Sequence, residues 1–375
     1  MDNPFVLVPY VSKELFCDRE NETATLVEYL ANGSNVTLIS PRRFGKTGLI
    51  YRVFDEMRQR QMDVNTCYVD IYSTDSIEGF IKLFSESVLS TLEKKSAISK
   101  FMQFLGGIRP MLSYDSISGT PELTLTYRNE QEKLTTLKSL FEFVENQGRK
   151  TVIAIDEFQQ VRNYKGVNME ALLRSYIQPL KNVRFIFCGS KKHIMMEMFS
   201  DARSPFYEST RCFYLNKIDR KVYADFIVKM FAKGKKTISE EALDFILDWT
   251  KLHTFYTQSL CNHVFMKSKK RIELIDVVRS VFQIFEENEA NYLQWRNLLT
   301  PSQWNYLKAV AKEGVVTKPC STEFVQRYNI GTSANSKRIL ESLIEKELIL
   351  ANTTKDGESY SVYNVFLSRW LEKEY

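Results

Sequence analysis

The sequence predicts an α/β protein in which a five-stranded parallel sheet is followed by an all-helical segment and then by a module of three short helices and a β-hairpin. Three observations carry this expectation. Apolar runs rich in β-branched residues alternate with segments of helical period through the first half of the chain, the pattern of a parallel sheet covered on both faces. Between about residues 219 and 298 strand signals vanish while apolar positions keep helical spacing. At Thr300-Pro301, an N-cap with proline at the first helical position, a new pattern begins.

Asp18 is placed to cap a helix whose inner face carries Leu26, Tyr29 and Leu30 and which stops at Gly33. Val36 to Ile39 then reads as a strand, followed by a loop and a helix with Leu49, Ile50, Val53, Phe54 and Met57 on one face. A strand at 66–72 precedes a helix carrying Ile77, Phe80, Ile81, Phe84 and Val88. Residues 93–128 break the rhythm, and "LSYDSISGTPELTLTY" predicts an insertion hairpin, at about 107–128, around a Ser-Gly-Thr-Pro turn. A helix with Leu134, Leu137, Leu140, Phe141 and Val144 leads to a strand at 151–157, a helix at 168–179 and strands at 183–190 and 211–218. The expected domains are therefore 1–218, a small helical domain at 219–299, and 300–375. In the last, helices at about 301–313, 320–328 and 332–347 and two strands around an Asp-Gly turn make a winged-helix module.

The 375 residues carry 51 Lys and Arg against 46 Asp and Glu, a net charge of +5 that indicates no dedicated nucleic-acid tail. Six cysteines, Cys17, Cys67, Cys188, Cys212, Cys261 and Cys320, lie far apart with no Cys-x-x-Cys pair and only three histidines. That reads as reduced thiols in a cytoplasmic protein rather than a zinc site. The N-terminus lacks the form of a secretory signal, and no apolar run is long enough to cross a bilayer, so no membrane association is expected.

The chemistry concentrates in "SPRRFGKT", residues 40–47, between the first sheet strand and its helix. A phosphate loop works because backbone N–H groups at a helix N-terminus point at the β- and γ-phosphates of a nucleotide. Gly45 permits the close approach, Lys46 reaches the phosphates, and Thr47 offers a hydroxyl to Mg2+. Ser40 stands where such a loop usually opens with glycine, and it can make that turn if its backbone stays out of the left-handed region. With Pro41, Arg42, Arg43, Phe44 and Gly48 these residues form the candidate nucleotide-binding set. About 110 residues on, Val152 to Ile155 form an apolar strand ending in Asp156-Glu157. Asp156 is placed to hold Mg2+ through water, and Glu157 to orient and deprotonate an attacking water. Ser190, after the strand at 183–188, could touch the γ-phosphate or that water, or serve only as an N-cap.

With these motifs in hand, the chain resembles the archaeal-type ATPases, P-loop NTPases close to the STAND group and similar to AAA+ proteins. The resemblance rests on "LFCDRENE", "LISPRRFGKTGLI", "VIAIDEFQ", "FIFCGS", "SPFYESTRCFYLNKI" and "YSVYNVFLSRWL", which together span nearly the whole chain. It implies a P-loop NTPase core, a helical lid, a winged helix, and ATP hydrolysis coupled to conformational change. It also implies that Phe16 and Arg19 lie near the nucleotide base. Two departures stand out. Where the family commonly carries Pro-Leu-Tyr-Gly-Arg this chain has Pro205-Phe206-Tyr207-Glu208-Ser209, which leaves Arg211 as a substitute catalytic arginine. The Gly-x-Pro-type lid motif expected near 252–258 has neither glycine nor proline.

Three functions are compatible with this reading. The first is an Mg2+-dependent ATP hydrolase used as a regulatory switch, ATP lying between sheet and lid and hydrolysis repositioning the winged helix. The second is a DNA-binding protein of the replication-initiator or transposition-helper kind whose affinity is set by nucleotide. The third is a nucleotide-binding scaffold that barely hydrolyses. The winged helix can dock a protein partner or duplex DNA, its third helix offering Ser333, Asn335, Lys337 and Arg338, and an oligomer is compatible with all three. The lysine-rich clusters at 233–236 and 267–271 read as solvated helix ends with a secondary capacity for phosphates.

Overall fold

The computed structural model describes residues 3–92, 95–105, 110–115, 120–354 and 357–374. The chain divides into two compact units, one running from Val8 to Asn216 and the other made of the segment up to Leu7 together with the chain from Lys217 onward.

In the first unit, α1 (Glu20–Ala31) starts one residue later than a cap by Asp18 would place it. Asp18 and Arg19 both adopt left-handed backbones, and Arg19 occupies the N-cap. The Asp18 carbonyl instead accepts from the buried Arg52 guanidinium, which also reaches Glu20 at 2.7 Å. β1 (Val36–Ile39) is buried at every position, and α2 (Lys46–Gln59) buries the predicted face from Leu49 to Met57. β2 (Val64–Asp70) and α3 (Ile77–Ser90) follow, the latter capped by Ser76 Oγ accepting from the Gly79 amide.

The insertion holds a helix that periodicity did not announce, α4 (Lys95–Phe104), before the antiparallel pair β3 (Met111–Tyr114) and β4 (Pro121–Thr124). Ser118 and Gly119 of the expected turn lie outside the described residues. Then come α5 (Glu130–Glu145), β5 (Lys150–Asp156), a short 3-10 turn (Phe158–Asn163), α6 (Met169–Ile177), β6 (Val183–Gly189), α7 (Lys192–Ser200) and β7 (Arg211–Tyr214).

The five sheet strands are all parallel in the order β2-β5-β6-β1-β7. Both faces are covered. Leu38, Ala154 and Cys188 pack with Leu26, Leu49, Ile50 and Val53, whereas Ile153, Ile155, Phe185 and Phe187 pack with Phe84, Leu140, Phe141 and Met195. Covering on both faces explains why the central strands read as continuous apolar runs rather than as alternating ones. The order brings the carboxyl ends of β1, β6 and β5 side by side, where a parallel sheet offers its binding edge.

The second unit contains α8 (Arg220–Lys233), β8 (Thr237–Ile238), α9 (Glu240–Trp249), α10 (Thr254–Lys267), β9 (Arg271–Ile272) and α11 (Leu274–Leu298). The segment expected to be all-helical thus also holds two short strands. The parallel pair β8 and β9 joins the two lysine-rich clusters, and Lys236 crosses between them to the carbonyls of Phe265 and Ser268. The turn that lacks the expected glycine is made by two left-handed residues, Lys251 and Leu252.

α12 (Pro301–Glu313), with a Thr300/Gln303 capping box, opens the winged-helix segment. α13 (Thr322–Tyr328), α14 (Ser333–Glu345), the antiparallel β10 (Ile349–Thr354) and β11 (Gly357–Val362), and α15 (Val365–Glu374) complete it. Asp356 of the predicted Asp-Gly turn lies outside the described residues. α15 joins this module to the preceding helices: Phe366 packs on Trp249 and Tyr256, Trp370 on Tyr292, and Arg369 donates to the Trp249 and Asp248 carbonyls. The helical segment from Lys217 and the winged helix thus fall in one compact unit.

Candidate functional site

The loop between β1 and α2 is built around one glycine. Gly45 has φ +93° and occupies the N-cap of α2, a conformation that costs a side-chain-bearing residue free energy. Arg43 is also left-handed, at φ +61°, whereas Ser40 stays out of that region and is buried. The condition for serine at the loop's opening is met. Phe44 is buried in the apolar face beneath α2 and anchors the loop from below, while Arg43 projects outward. The first amides of any α-helix lack intrahelical acceptors, so Gly45, Lys46 and Thr47 present a donor set suited to phosphate oxygens.

Lys46 is 6% exposed, and its Nζ donates to the loop carbonyls of Ser40 and Pro41 at 3.0 and 3.1 Å. Burial pulls its pKa down, opposed by the charges of Asp156 and Glu157. An ammonium resting on two carbonyls can exchange them for phosphate oxygens.

Asp156 closes β5 and is buried with four donors on its carboxylate. Thr47 Oγ1 donates to Oδ2 at 3.1 Å and Tyr68 OH to the same oxygen at 2.6 Å. Oδ1 accepts from the Glu157 amide at 2.9 Å and from Cys188 Sγ at 3.1 Å. Burial and the adjacent carboxylate push the Tyr68 phenol and the Cys188 thiol far up, so both remain protonated donors. The Thr47 hydroxyl and the Asp156 carboxylate are hard oxygen donors beside the loop and fit Mg2+.

Glu157 takes a left-handed backbone, φ +55°. Phe158 holds it there, since that ring is fully buried among Phe187, Phe199 and Phe206 at centroid distances of 4.6, 5.8 and 5.4 Å. Phe206 comes from the segment that departs from the family pattern, which thus serves as packing for the site. Ser190 Oγ donates to Glu157 Oε2 at 2.8 Å, Gln159 Nε2 donates to the same oxygen, and Arg42 Nε donates to Ser190 Oγ at 3.2 Å. Among the described residues Oε1 has no hydrogen-bond partner. Gly189 makes room for this network, because a Cβ there would lie 2.1 Å from Gln159 Oε1.

The structure thus brings Ser40, Pro41, Arg42, Gly45, Lys46, Thr47, Asp156, Glu157 and Ser190 together. Gly48 sits in the first turn of α2 directly under Phe16, whose ring also lies against Arg52 at 5.5 Å. Two predicted residues are not brought in. Arg19 is buried with its guanidinium committed to Glu22 at 2.6 Å and to the Asn216 carbonyl at 2.5 Å, so it ties α1 to the chain leaving β7. Arg211 pairs with Val36 at the amino edge of the sheet, opposite the loop, and packs on Tyr29 at 5.0 Å. An arginine that begins a parallel strand cannot also stand at the strands' carboxyl ends.

Sequence reasoning missed Tyr68, Gln159 and the role of Cys188. Only Gln159, two residues past Glu157, had a local signal; Tyr68 and Cys188 reach Asp156 across strand pairings that no spacing reveals.

A glycine-turned loop with a buried lysine at a helix N-terminus, faced by an Asp-Glu pair on a nearby strand, defines the class of P-loop ATPases. The chain belongs to the family of ATPase domains found predominantly in Archaea, whose model matches residues 16–252, and a probable winged helix domain matches 290–373. Among solved structures it is similar to the Walker-type ATPase PABY2304 of Pyrococcus abyssi, with a TM-score of 0.68 at 17% identity over 98% of this chain and 99% of that one. It is also similar to the Aeropyrum pernix ORC2 protein in its ADPNP-ADP complexes (TM-score 0.55, 15% identity, 99% and 96% coverage). The ORC1 protein of the same organism, solved in complex with DNA, follows at 0.53, with 12% identity and 99% and 96% coverage. At these identities the likeness establishes the fold. No curated protein matches the chain. Among the described residues, no helix is long and apolar enough to cross a membrane.

Proposed function

We propose that this protein is an Mg2+-dependent ATP hydrolase that works as a regulatory switch. The observation that supports it most is the hydrogen bond of 3.1 Å from Thr47 to Asp156, which joins the start of α2 to the end of β5, beside a Lys46 ammonium that rests on the loop carbonyls of Ser40 and Pro41. The amides heading α2 and the Lys46 ammonium would receive the β- and γ-phosphates. Thr47 and Asp156 would hold Mg2+, which offsets the charge developing on the phosphates during transfer. Glu157 is oriented through Oε2, which leaves Oε1 to take the proton of an attacking water. The water oxygen bonds to the γ-phosphorus as the β–γ bridging P–O bond breaks, and ADP and phosphate leave. Because α15 fastens the winged helix to α9, α10 and α11, nucleotide state would move lid and winged helix as one body.

The test is phosphate release by wild type and Glu157→Gln. Loss of a general base is expected to slow turnover by about 10²–10⁴-fold while nucleotide affinity is kept. Turnover that survives this change defeats the assignment of the base, and tight ATP binding by wild type without phosphate release makes the chain a non-hydrolysing scaffold.

A second reading, duplex DNA binding controlled by nucleotide, is favoured by α14, where Ser333, Asn335, Lys337 and Arg338 are exposed while Ser336, Ile339 and Leu340 are buried. The ORC1 structure solved with DNA points the same way. Duplex binding at two salt concentrations tests it, since phosphate contacts weaken steeply with salt.

A further inference from the structure

We propose that Tyr68 is a positioning residue for the metal half of the site, holding the Asp156 carboxylate in the orientation that receives Mg2+; the inference rests on the ATPase reading above. Tyr68 lies on β2 opposite Ala154, two residues before Asp156. Side chains alternate along a strand, so Ala154 and Asp156 share the sheet face on which α2 packs, and Ala154 and Tyr68 both belong to that apolar cluster. From this position the phenol spans the gap along the strand and places its hydroxyl 2.6 Å from Oδ2.

Thr47 shares the same oxygen at 3.1 Å, but its hydroxyl is also the one that a cation at the loop would engage. Tyr68 has no such second duty. It is the donor that keeps Oδ2 fixed while Thr47 serves the metal, as the Glu157 amide and Cys188 fix Oδ1. The Tyr51 ring braces it at a centroid distance of 5.1 Å. A carboxylate that receives a metal through water has little direct bonding to hold its angle, so these protein donors determine how well the water is presented.

The experiment measures binding of a non-hydrolysable ATP analogue to the full chain by calorimetry, across a Mg2+ titration and in EDTA, for wild type, Tyr68→Phe and Tyr51→Phe. Outer partners of metal ligands typically carry about 10–100-fold in metal affinity. Tyr68→Phe is therefore expected to raise the half-saturating Mg2+ concentration by about tenfold and to leave the affinity in EDTA unchanged. Tyr51→Phe, which removes a hydroxyl from the same aromatic pair without touching Asp156, is expected to match wild type. Thermal midpoints of the three proteins separate a folding defect from a metal defect. An unchanged Mg2+ requirement in Tyr68→Phe overturns the inference, as does an equal loss of affinity with and without metal, which is what a merely structural tyrosine would produce. Wild type that binds the analogue equally well in Mg2+ and EDTA refutes instead the assignment of the metal site on which the inference stands.

Discussion

Gly48 lies in the first turn of α2, where replacing glycine with alanine ordinarily stabilises a helix by about 0.5–1 kcal/mol through the reduced freedom of the unfolded chain. Here the surroundings reverse the sign. A Cβ at this position would sit 2.3 Å from the Pro9 carbonyl oxygen and 2.6 Å from Phe16 Cε2. Neither can yield cheaply, because one is backbone and the other is a ring held between Arg52 and Tyr10. Overpacking of this kind costs about 1–3 kcal/mol; its central value of about 2 kcal/mol exceeds the helical gain and leaves Gly48→Ala less stable by about 1–1.5 kcal/mol. For a unit of this size that is a fall of roughly 2–6 °C in the thermal midpoint. Differential scanning calorimetry with and without nucleotide is the assay, and displacement of Phe16 from the start of α2 is expected to weaken nucleotide binding as well. A Gly48→Ala protein that melts higher than wild type would refute the reasoning, since the helix gain would then have prevailed and the segment from Pro9 to Phe16 would be free to move.

Two further outcomes follow from the same geometry. Lys46→Ala removes the ammonium that bridges two loop carbonyls and should weaken ATP binding at least about tenfold, because charge-assisted hydrogen bonds contribute roughly twice what neutral ones do; calorimetry reads the change. Glu86 accepts the Leu123 amide at 2.8 Å and so anchors the hairpin strand β4 to α3, while burial, more than the neighbouring Glu122, raises its pKa above 4.5. With the folded value above the unfolded one, its contribution is fully present below pH 4.5 and is lost as pH rises through the folded pKa. Glu86→Gln keeps an acceptor for the amide and removes the charge, so it should melt higher than wild type at neutral pH. The advantage should vanish below that window, and melts across a pH series check both parts.

Much of the sheet could be read from the chain because buried parallel strands and amphipathic helices write their environment into local periodicity. Val36 to Ile39, Val152 to Ile155 and the faces of α2, α3 and α5 are of that kind. α4, α7 and α15 were not anticipated as elements. Their apolar positions answer to neighbours supplied by distant segments, as Phe366 and Trp370 answer to Trp249, Tyr256 and Tyr292. The two-residue strands β8 and β9 are too short to carry any period.

The same division runs through the site. By itself the sequence determined the glycine turn, the lysine and threonine that follow it and the Asp-Glu pair, because each motif acts through neighbours in the chain and its requirements are local. Tertiary structure alone decided that Tyr68, Thr47 and Cys188 meet on one carboxylate, and that Ser190 and Gln159 share one oxygen of Glu157. It also decided that Arg19 is spent on Glu22 and Asn216 and that Arg211 stands at the far edge of the sheet. These are matters of strand order and register, which depend on packing summed over both faces of the sheet, and residues as distant in sequence as 68 and 156 become neighbours only once that sum has selected one arrangement.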